Sequence, residues 1–463
     1  MPPLGIITVA SMLPQEWEKR LIDQNVTNLK DSDIEWADYV FVSAMVIQRQ
    51  GVKELIKRCH AMGKKIVAGG PLFTAEPESF DEIDYLVLNE AEITLPLFLA
   101  DLKQGIIKHI YTSQEKPDLK NTPLPTWELV KMKYYSTMPI QLSRGCSYDC
   151  EFCDIITLFG RNQRMKSKDQ IVDELESLYA AGWRGDVTLA DDNFIGKKTI
   201  LKNELLPAMT AWMQRRKYPF HFMAEVSINL ADDEELMAMM IEAGINVLFV
   251  GIETPNERSL KECNKIPNRS RDLLASVRKM QEFGFIVDAG FILGFDSDDE
   301  TTFADLEEFI EHSGIVTAMV GLLNAPRGSR LHQRLQNEGR LVKEEIVGNN
   351  TAYSTNIVPK MKIEPLVKGY QNVLTKIYSA KPYYERVKKF LRHYQQPKRK
   401  TITFQFSYIK ASLKVLLIIG IFRRDRRYFW KLVTWSIFRK PKMLPLVFQY
   451  AIYRTHFAEV SGL

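Results

Sequence analysis

Apolar positions along the first hundred residues alternate between a helical period and short continuous runs. Residues 2–13 (PPLGIITVASML) read as the start of a helix, RLIDQNV (20–26) as a strand and ADYVFVSAM (37–45) as a buried strand. VKELIKRCHAMG (52–63) reads as a helix, KIVAGG (65–70) and IDYLVLNE (83–90) as strands, and ITLPLFLADLKQG (93–105) as a closing helix. Strands separated by helical stretches of roughly 12 residues predict a parallel, doubly wound (Rossmann-like) α/β sheet. Such a sheet normally opens on a strand and this one opens on a helix, so either its first layer is degenerate or the chain start lacks a strand.

Residues 106–137 hold Pro117, Pro123 and Pro125 among many polar residues and read as a linker. After it a strand-then-helix rhythm returns six times, with strands expected at 138–145, 186–194, 220–228, 246–254, 286–295 and 317–323. Six such repeats predict a partial (β/α)6 TIM-like barrel over 138–335, with chemistry at the C-terminal strand ends. From 336 to 463 the repeat stops, and LVKGYQNVLTKIY and YYERVKKFLRHY begin an α-helical extension.

Composition changes this picture in two places. A length of 463 residues calls for two or three domains, and 45% hydrophobic with 26% charged residues excludes wholesale disorder. Charge is uneven: residues 381–463 carry 19 Lys/Arg against 3 Asp/Glu, which leaves the first 380 at −11. The longest uncharged apolar run of that basic tail, 415–422, is too short to span a bilayer, which takes about 20 residues. Aromatic and aliphatic residues interleaved with Arg and Lys fit a helix lying on a membrane surface or on a partner. A nucleic-acid arm would be more polar, so no nucleic-acid partner is expected. Five cysteines without a disulfide framework, and no signal-peptide pattern at the start, predict a cytoplasmic protein, peripheral at the inner face of the membrane through its tail.

Three of the five cysteines stand together in SRGCSYDCEFCDI (143–155), as Cys146, Cys150 and Cys153, directly after the first barrel strand. Structural zinc closes with four Cys or His ligands, and no fourth lies near. Packing of three thiols among Ser, Asp and Glu is a poor alternative, which leaves an iron–sulfur cluster with one iron not bound by the protein.

Cys146, Cys150, Phe152 and Cys153 match the C-x3-C-x-aromatic-C signature, and the chain resembles the radical S-adenosylmethionine (SAM) superfamily. That resemblance implies a [4Fe–4S] cluster whose open iron binds SAM and cleaves it to a 5′-deoxyadenosyl radical, with a flavodoxin- or ferredoxin-type electron donor. It also implies SAM-contacting residues at the strand ends: Asp191 and Asp192 in LADDNF, Glu225 and Ser227 in AEVSIN, Glu253 in GIETP, and Gly290, Ile292 and Gly294 in GFILGF. Capping of the next helix is the alternative reading of Asp192. For Glu253 the resemblance suggests a ribose hydroxyl, since a carboxylate buried without a partner is costly. APRGSRL (325–331) resembles the family's Pro-x-Gly-Thr-x-Leu element, with Ser329 for Thr.

The sheet of residues 1–105 resembles the cobalamin-binding domain of one large class of these enzymes, through PPLGIITVASML, ADYVFVSAM, VAGGPLFT and IDYLVLNEAEITLPLF. Ser43, Gly69 and Gly70 fall at its C-terminal strand ends, where doubly wound sheets bind ligands and where glycine permits close backbone approach. The Asp-x-His-x-x-Gly motif of other cobalamin proteins is missing, so cobalamin would be held without that histidine. Across its length the chain looks most like the subgroup containing hopanoid C-2 methylases, which implies methylation of an unactivated carbon on a lipid or isoprenoid. A radical SAM cyclase or oxidoreductase with a vestigial cobalamin domain, and a non-enzymatic metal-clipped interaction protein, are the competing expectations. Methylthiotransferases carry further cluster cysteines in their first domain, where this chain has only Cys59.

Overall fold

A computed structural model describes residues 1–342, 354–397, 416–423 and 425–460. By internal contacts the chain forms two compact units, Met1–Glu225 with Asn324–Asn349, and Val226–Leu323 with Asn350–Leu463.

The first unit opens on the expected helix, Leu4–Met12. Its first sheet is parallel and ordered β1 (Tyr39–Ser43), β2 (Lys65–Gly69), β3 (Tyr85–Val87) and β4 (Ile110–Tyr111). Helices Arg49–Ala61 and Ala91–Gln104 cover it, and the inner residues Ile66, Ala68 and Leu86 are fully buried. A parallel sheet covered on its faces selects short apolar runs rather than alternation, which is why KIVAG and YLV serve as strands.

Two expectations are corrected here. Residues 20–26 are not a strand: the Asp23 carboxylate accepts the Asn25 N–H at 2.9 Å, and the Asp23 carbonyl accepts those of Val26 and Thr27. Amides closed into a local turn are withdrawn from any ladder. The expected linker contributes β4, because Tyr111 buries its ring edge-on against Phe98 and gives its hydroxyl to Asp101.

Six parallel strands make the second sheet in chain order: β5 (Thr137–Ile140), and, after the short antiparallel pair β6 (Ser143–Arg144) and β7 (Arg164–Met165), β8 (Gly185–Leu189), β9 (Phe220–Val226), β10 (Ile245–Glu253), β11 (Ile286–Leu293) and β12 (Ala318–Leu322). A helix follows each strand, the partial barrel that the repeats predict. Within the first unit, Ile140 pairs with Leu189 and Leu189 with Ala224. Within the second, Gly251 pairs with Gly290 and Ile292 with Gly321. β9 and β11 alternate buried and less buried residues, so Phe220, Phe222 and Ala224, or Val287, Ala289 and Phe291, face their covering helices.

The second unit adds helices Ile363–Tyr378, Ala380–His393, Arg426–Arg439 and Leu444–Val460. Tyr370, Tyr378, Tyr383, Phe390 and Tyr450 form their common interior. Among the described residues no helix is long and apolar enough to cross a membrane. The part of the basic tail at 398–415 lies outside the described residues.

Candidate metal centre and cofactor site

β6 and β7 pair antiparallel, Ser143 with Met165 and Arg144 with Arg164, and the three cysteines lie on the loop between them. Gly145 enters that loop at φ +96°, and a side chain there would strike the Gly160 carbonyl at 2.8 Å, the same carbonyl that accepts the Cys146 N–H. Only glycine suits that position. The Cys153 N–H bonds the Cys150 carbonyl at 3.1 Å, folding these two residues into one turn. Cys150 is buried, Cys146 and Cys153 are half-buried, and none of the five cysteines is in a disulfide. Cys59 and Cys263 are buried elsewhere, Cys59 in the core of the first sheet. Burial pushes the Cys59 thiol up, away from the thiolate that a metal needs.

The loop is held from three sides, all within the first unit. Asp192 takes the Gly145 N–H at 2.7 Å, so it anchors the loop and caps no helix. Asp191, 3% exposed, accepts the Ser143 hydroxyl and the Leu142 N–H. Gln163 bridges the Ser143 hydroxyl at 2.9 Å to the Asn193 carbonyl at 2.7 Å. From the segment after β12, Arg334 makes a two-pronged bond to Glu151, Arg330 reaches the Asp149 carbonyl, and the Gly328 carbonyl accepts the Thr157 hydroxyl. Ser329, standing where the resembling motif has Thr, caps helix Arg330–Asn337. From the first sheet, Glu90 and Glu92 bind Arg144, and Glu90 also binds Arg164.

Burial pushes the Asp191 carboxyl up to about 7 against the Ser143 and Leu142 donors, and that of Asp192 up to about 6 against the Gly145 N–H. A raised carboxyl means that the folded chain keeps a proton which the unfolded chain releases near pH 4, so this contribution to stability is lost as pH rises from about 4 to about 7. Asp191→Asn should flatten that slope. Thermal unfolding of the cluster-free chain at pH 5, 6, 7 and 8 measures it, and parallel slopes in variant and parent would contradict the assignment.

At the edge of the first sheet the three expected residues do come together. Ser43 pairs in register with Gly69. A side chain on Gly70 (φ +90°) would meet the Ser43 hydroxyl at 2.7 Å, and one on Gly69 would meet the Val87 carbonyl at 2.5 Å. Met45 and Ile47, just beyond β1, are 63% and 51% exposed. A close backbone edge with exposed apolar residues beside it fits a large ring ligand with a polar tail.

The remaining expected residues behave differently. Glu225 is exposed at the end of β9, and its carbonyl accepts the Phe194 N–H. In the second unit Ser227 is buried and bonds Asn229 at 2.7 Å. Glu253 is buried at φ +63° beside a register shift in β10, but it has a partner on this chain: Lys265 Nζ lies 2.6 Å from its carboxylate. Burial alone therefore no longer calls for a ligand at Glu253. Gly251 makes room for the pair, since a side chain there would reach Glu253 at 2.4 Å and Lys265 at 2.8 Å. Gly290 faces the Phe249 ring, and the Gly294 N–H is taken by Asp298 at 2.8 Å, so both glycines already have a role in the fold. Ile292 is half-buried in β11, on the same face as Gly290. Sequence reasoning missed Ser143, Arg144, Arg164, Glu90, Glu92, Gln163 and Lys265. A pair of carboxylates directly after a strand, in NEAE (89–92), was the one usable signal.

Residues 140–310 match the Radical SAM superfamily, residues 1–99 the B12 binding domain, and residues 329–462 a Domain of unknown function (DUF4070). The chain is 39% identical over 436 residues to the uncharacterized methyltransferase sll1242 of Synechocystis sp., covering 93% of this chain and 81% of that protein. It belongs to the cobalamin-dependent radical SAM methyltransferases. It is also 37% identical over 349 residues to the hopanoid C-2 methylase of Rhodopseudomonas palustris, covering 74% of this chain and 66% of that protein. Among solved structures, the cobalamin-dependent SAM radical enzyme OxsB with aqua-cobalamin shares the fold at TM-score 0.60 and 14% identity, covering 91% of this chain and 71% of that one. TsrM from Kitasatospora setae, with cobalamin and a [4Fe–4S] cluster, shares it at 0.56 and 15%, covering 88% of each.

The cofactors of this methyltransferase are accordingly a [4Fe–4S] cluster, SAM and cobalamin. The residues present fit them. The donor set is three free thiols on one loop, Cys150 buried and Cys146 and Cys153 half-buried, the soft ligands that an iron–sulfur cluster takes. Cys146, Cys150 and Cys153 would hold the cluster, and the Ser43, Gly69 and Gly70 edge would take the cobalamin.

Proposed function

We propose that this methyltransferase adds a methyl group to an unactivated carbon of an isoprenoid-type lipid drawn from a membrane surface. The observation that carries the substrate class is the 37% identity to a hopanoid C-2 methylase. When bound, the cluster with SAM supplies a hydrogen-abstracting radical, and cobalamin supplies the methyl group. The chain's own part is placement: Gly145, Asp192 and Gln163 shape the cysteine loop, and the glycine edge of the first sheet admits a ring ligand. Electrons are taken to come from a flavodoxin- or ferredoxin-type donor, and the strand-end residues Glu225, Ser227 and Ile292 remain candidates for SAM contact.

A second observation favours a lipid. Helix Arg426–Arg439 turns Arg427, Trp430, Lys431 and Phe438 outward, and Phe438 is 84% exposed. The adjoining turn Ile418–Phe422, joined to it by the Trp430 indole N–H on the Gly420 carbonyl, exposes Ile418, Ile421 and Phe422. Apolar and cationic side chains mixed on one face suit the headgroup layer of an anionic, inner-face membrane, with about 1 kcal/mol per Lys or Arg.

Anaerobic turnover with SAM, a reductant and a vesicle-held triterpene tests the function. S-adenosylhomocysteine together with 5′-deoxyadenosine and a lipid heavier by one methylene is expected; 5′-deoxyadenosine alone would sink methylation in favour of a cyclase or oxidoreductase. The full chain should also sediment with phosphatidylglycerol vesicles and not with phosphatidylcholine ones. Two phenylalanines at about 2 kcal/mol of burial each imply that Phe422→Asp with Phe438→Asp weakens this by roughly several hundred-fold. Unchanged sedimentation of that variant removes the surface from the proposal.

A further inference from the structure

One carboxylate of the first sheet grips the cysteine loop at both of its ends. Glu90 follows β3 by three residues, on the sheet edge that carries Gly69 and Gly70, and its side chain is 3% exposed. Arg164, on β7 where the loop closes, donates to both Glu90 oxygens, Nη2 to Oε1 at 2.8 Å and Nη1 to Oε2 at 3.0 Å. Arg144, on β6 and two residues before Cys146, donates to Glu90 Oε2 at 2.8 Å and pairs with Glu92 Oε1, also at 2.8 Å. Each arginine is tied down again: Arg144 by the Gln141 side chain at 2.8 Å, Arg164 by the carbonyls of Pro117 at 2.8 Å and Phe159 at 3.1 Å. The Thr122 hydroxyl orients Glu92.

Fold stability alone is a weak reason to build such an arrangement in the first place. Buried ion pairs recover their desolvation cost only when the geometry is nearly complete, and an apolar contact often serves stability as well. What charge-assisted, two-pronged bonds add is direction: a guanidinium fork fixes the planes and distances of the groups it joins. Here the forks join the edge of the B12-binding-like sheet to the two strands that present the three thiols. Neither local sequence nor the β6–β7 pairing does this, since that ladder is only two residues long on each side.

We propose that Glu90 is a positioning residue: it pins both ends of the cluster loop to the cobalamin-binding domain, so that the two cofactor sites keep a fixed mutual placement. This rests on the assignment of Cys146, Cys150 and Cys153 to the cluster. Glu90 touches no reacting atom and acts chiefly through Arg144 and Arg164, with Lys116 Nζ a more distant partner at 3.9 Å.

Hydrogen–deuterium exchange on the full, cluster-loaded chain tests the pin. In Glu90→Gln, amides of residues 143–165 should exchange faster by about tenfold, with those of β1, β2 and β8 unchanged, because a local restraint and not the whole fold is released. Iron content should stay at the parent's level, and the change that added SAM makes in the cluster's electron paramagnetic resonance should shrink or broaden. Arg164→Gln should give the same loop-confined increase, and the double variant should be little faster than either single, as expected of groups acting as one unit. Should Glu90→Gln not be recovered folded, Arg164→Gln decides by the same criterion. Loop exchange within about twofold of the parent, an increase spread evenly over the unit, or additive single effects would overturn the proposal. A parent chain that binds no iron would bring down the cluster assignment and this inference together, whereas a cluster-bearing parent with an unaltered Glu90→Gln loop brings down this inference alone.

Discussion

Cys150→Ala abolishes the brown iron–sulfur chromophore and all reductive cleavage of SAM while the chain still folds. Cys150 is the buried member of the three-thiol loop, and its carbonyl, which accepts the Cys153 N–H, is untouched by the substitution. The loop is otherwise held by Asp192 on Gly145, Arg334 on Glu151 and Thr157 on Gly328, none of which involves a cysteine. Loss of one thiolate leaves two iron ligands where the cluster needs three. Anaerobic reconstitution followed by iron determination, visible absorption and 5′-deoxyadenosine assay reads the effect, and circular dichroism reads the fold. A structural clip on a non-enzymatic protein behaves the opposite way, since a chain that depends on its metal to fold unfolds when a ligand is removed. Collapse of the circular dichroism would therefore favour the clip.

Lys265→Met destabilises the second unit by about 3–5 kcal/mol, the usual cost of leaving one member of a buried ion pair alone. Glu253 is 9% and Lys265 14% exposed at the side chain, and they stand 2.6 Å apart. Because Glu253 also holds a left-handed backbone at φ +63° next to a shift in register, the pair restrains a costly conformation as well as two charges. Adding Glu253→Gln to Lys265→Met should recover most of the loss, since no unpaired charge then remains. Urea unfolding of the two single variants and the double gives the coupling energy directly. A small, additive set of losses would mean that Glu253 does not depend on Lys265, and would restore a ligand as the better account of its burial.

Both cases show what a linear pattern can convey. Cys146, Cys150, Phe152 and Cys153 were legible because all four lie within eight positions, and their spacing is itself the chemistry. The strand–helix repeats were legible because each period reports a covered face of the same few residues. Strand 20–26 was misread because a short segment with Leu21, Ile22 and Val26 reads as extended, while the Asp23 side chain and carbonyl take the neighbouring amides into a turn. The strand Ile110–Tyr111 was missed because two residues carry no period at all.

Carboxylates were where pattern and fold diverged most. Asp191, Asp192, Glu253 and Glu90 all sit at or just beyond strand ends, which is as much as a sequence can say of them. Asp191 then bonds Ser143, 48 residues away, Glu90 bonds Arg164, 74 residues away, and Glu253 bonds Lys265 after the chain has turned back on itself. Those partners follow from strand register and from which loops are packed together, and no local periodicity encodes either. The chain's own order of residues thus determined the α/β class, the six repeats, the cluster signature and the basic, aromatic tail. The tertiary structure decided which charges are paired and which loop is pinned, because a buried charge must find its partner in space and not along the chain.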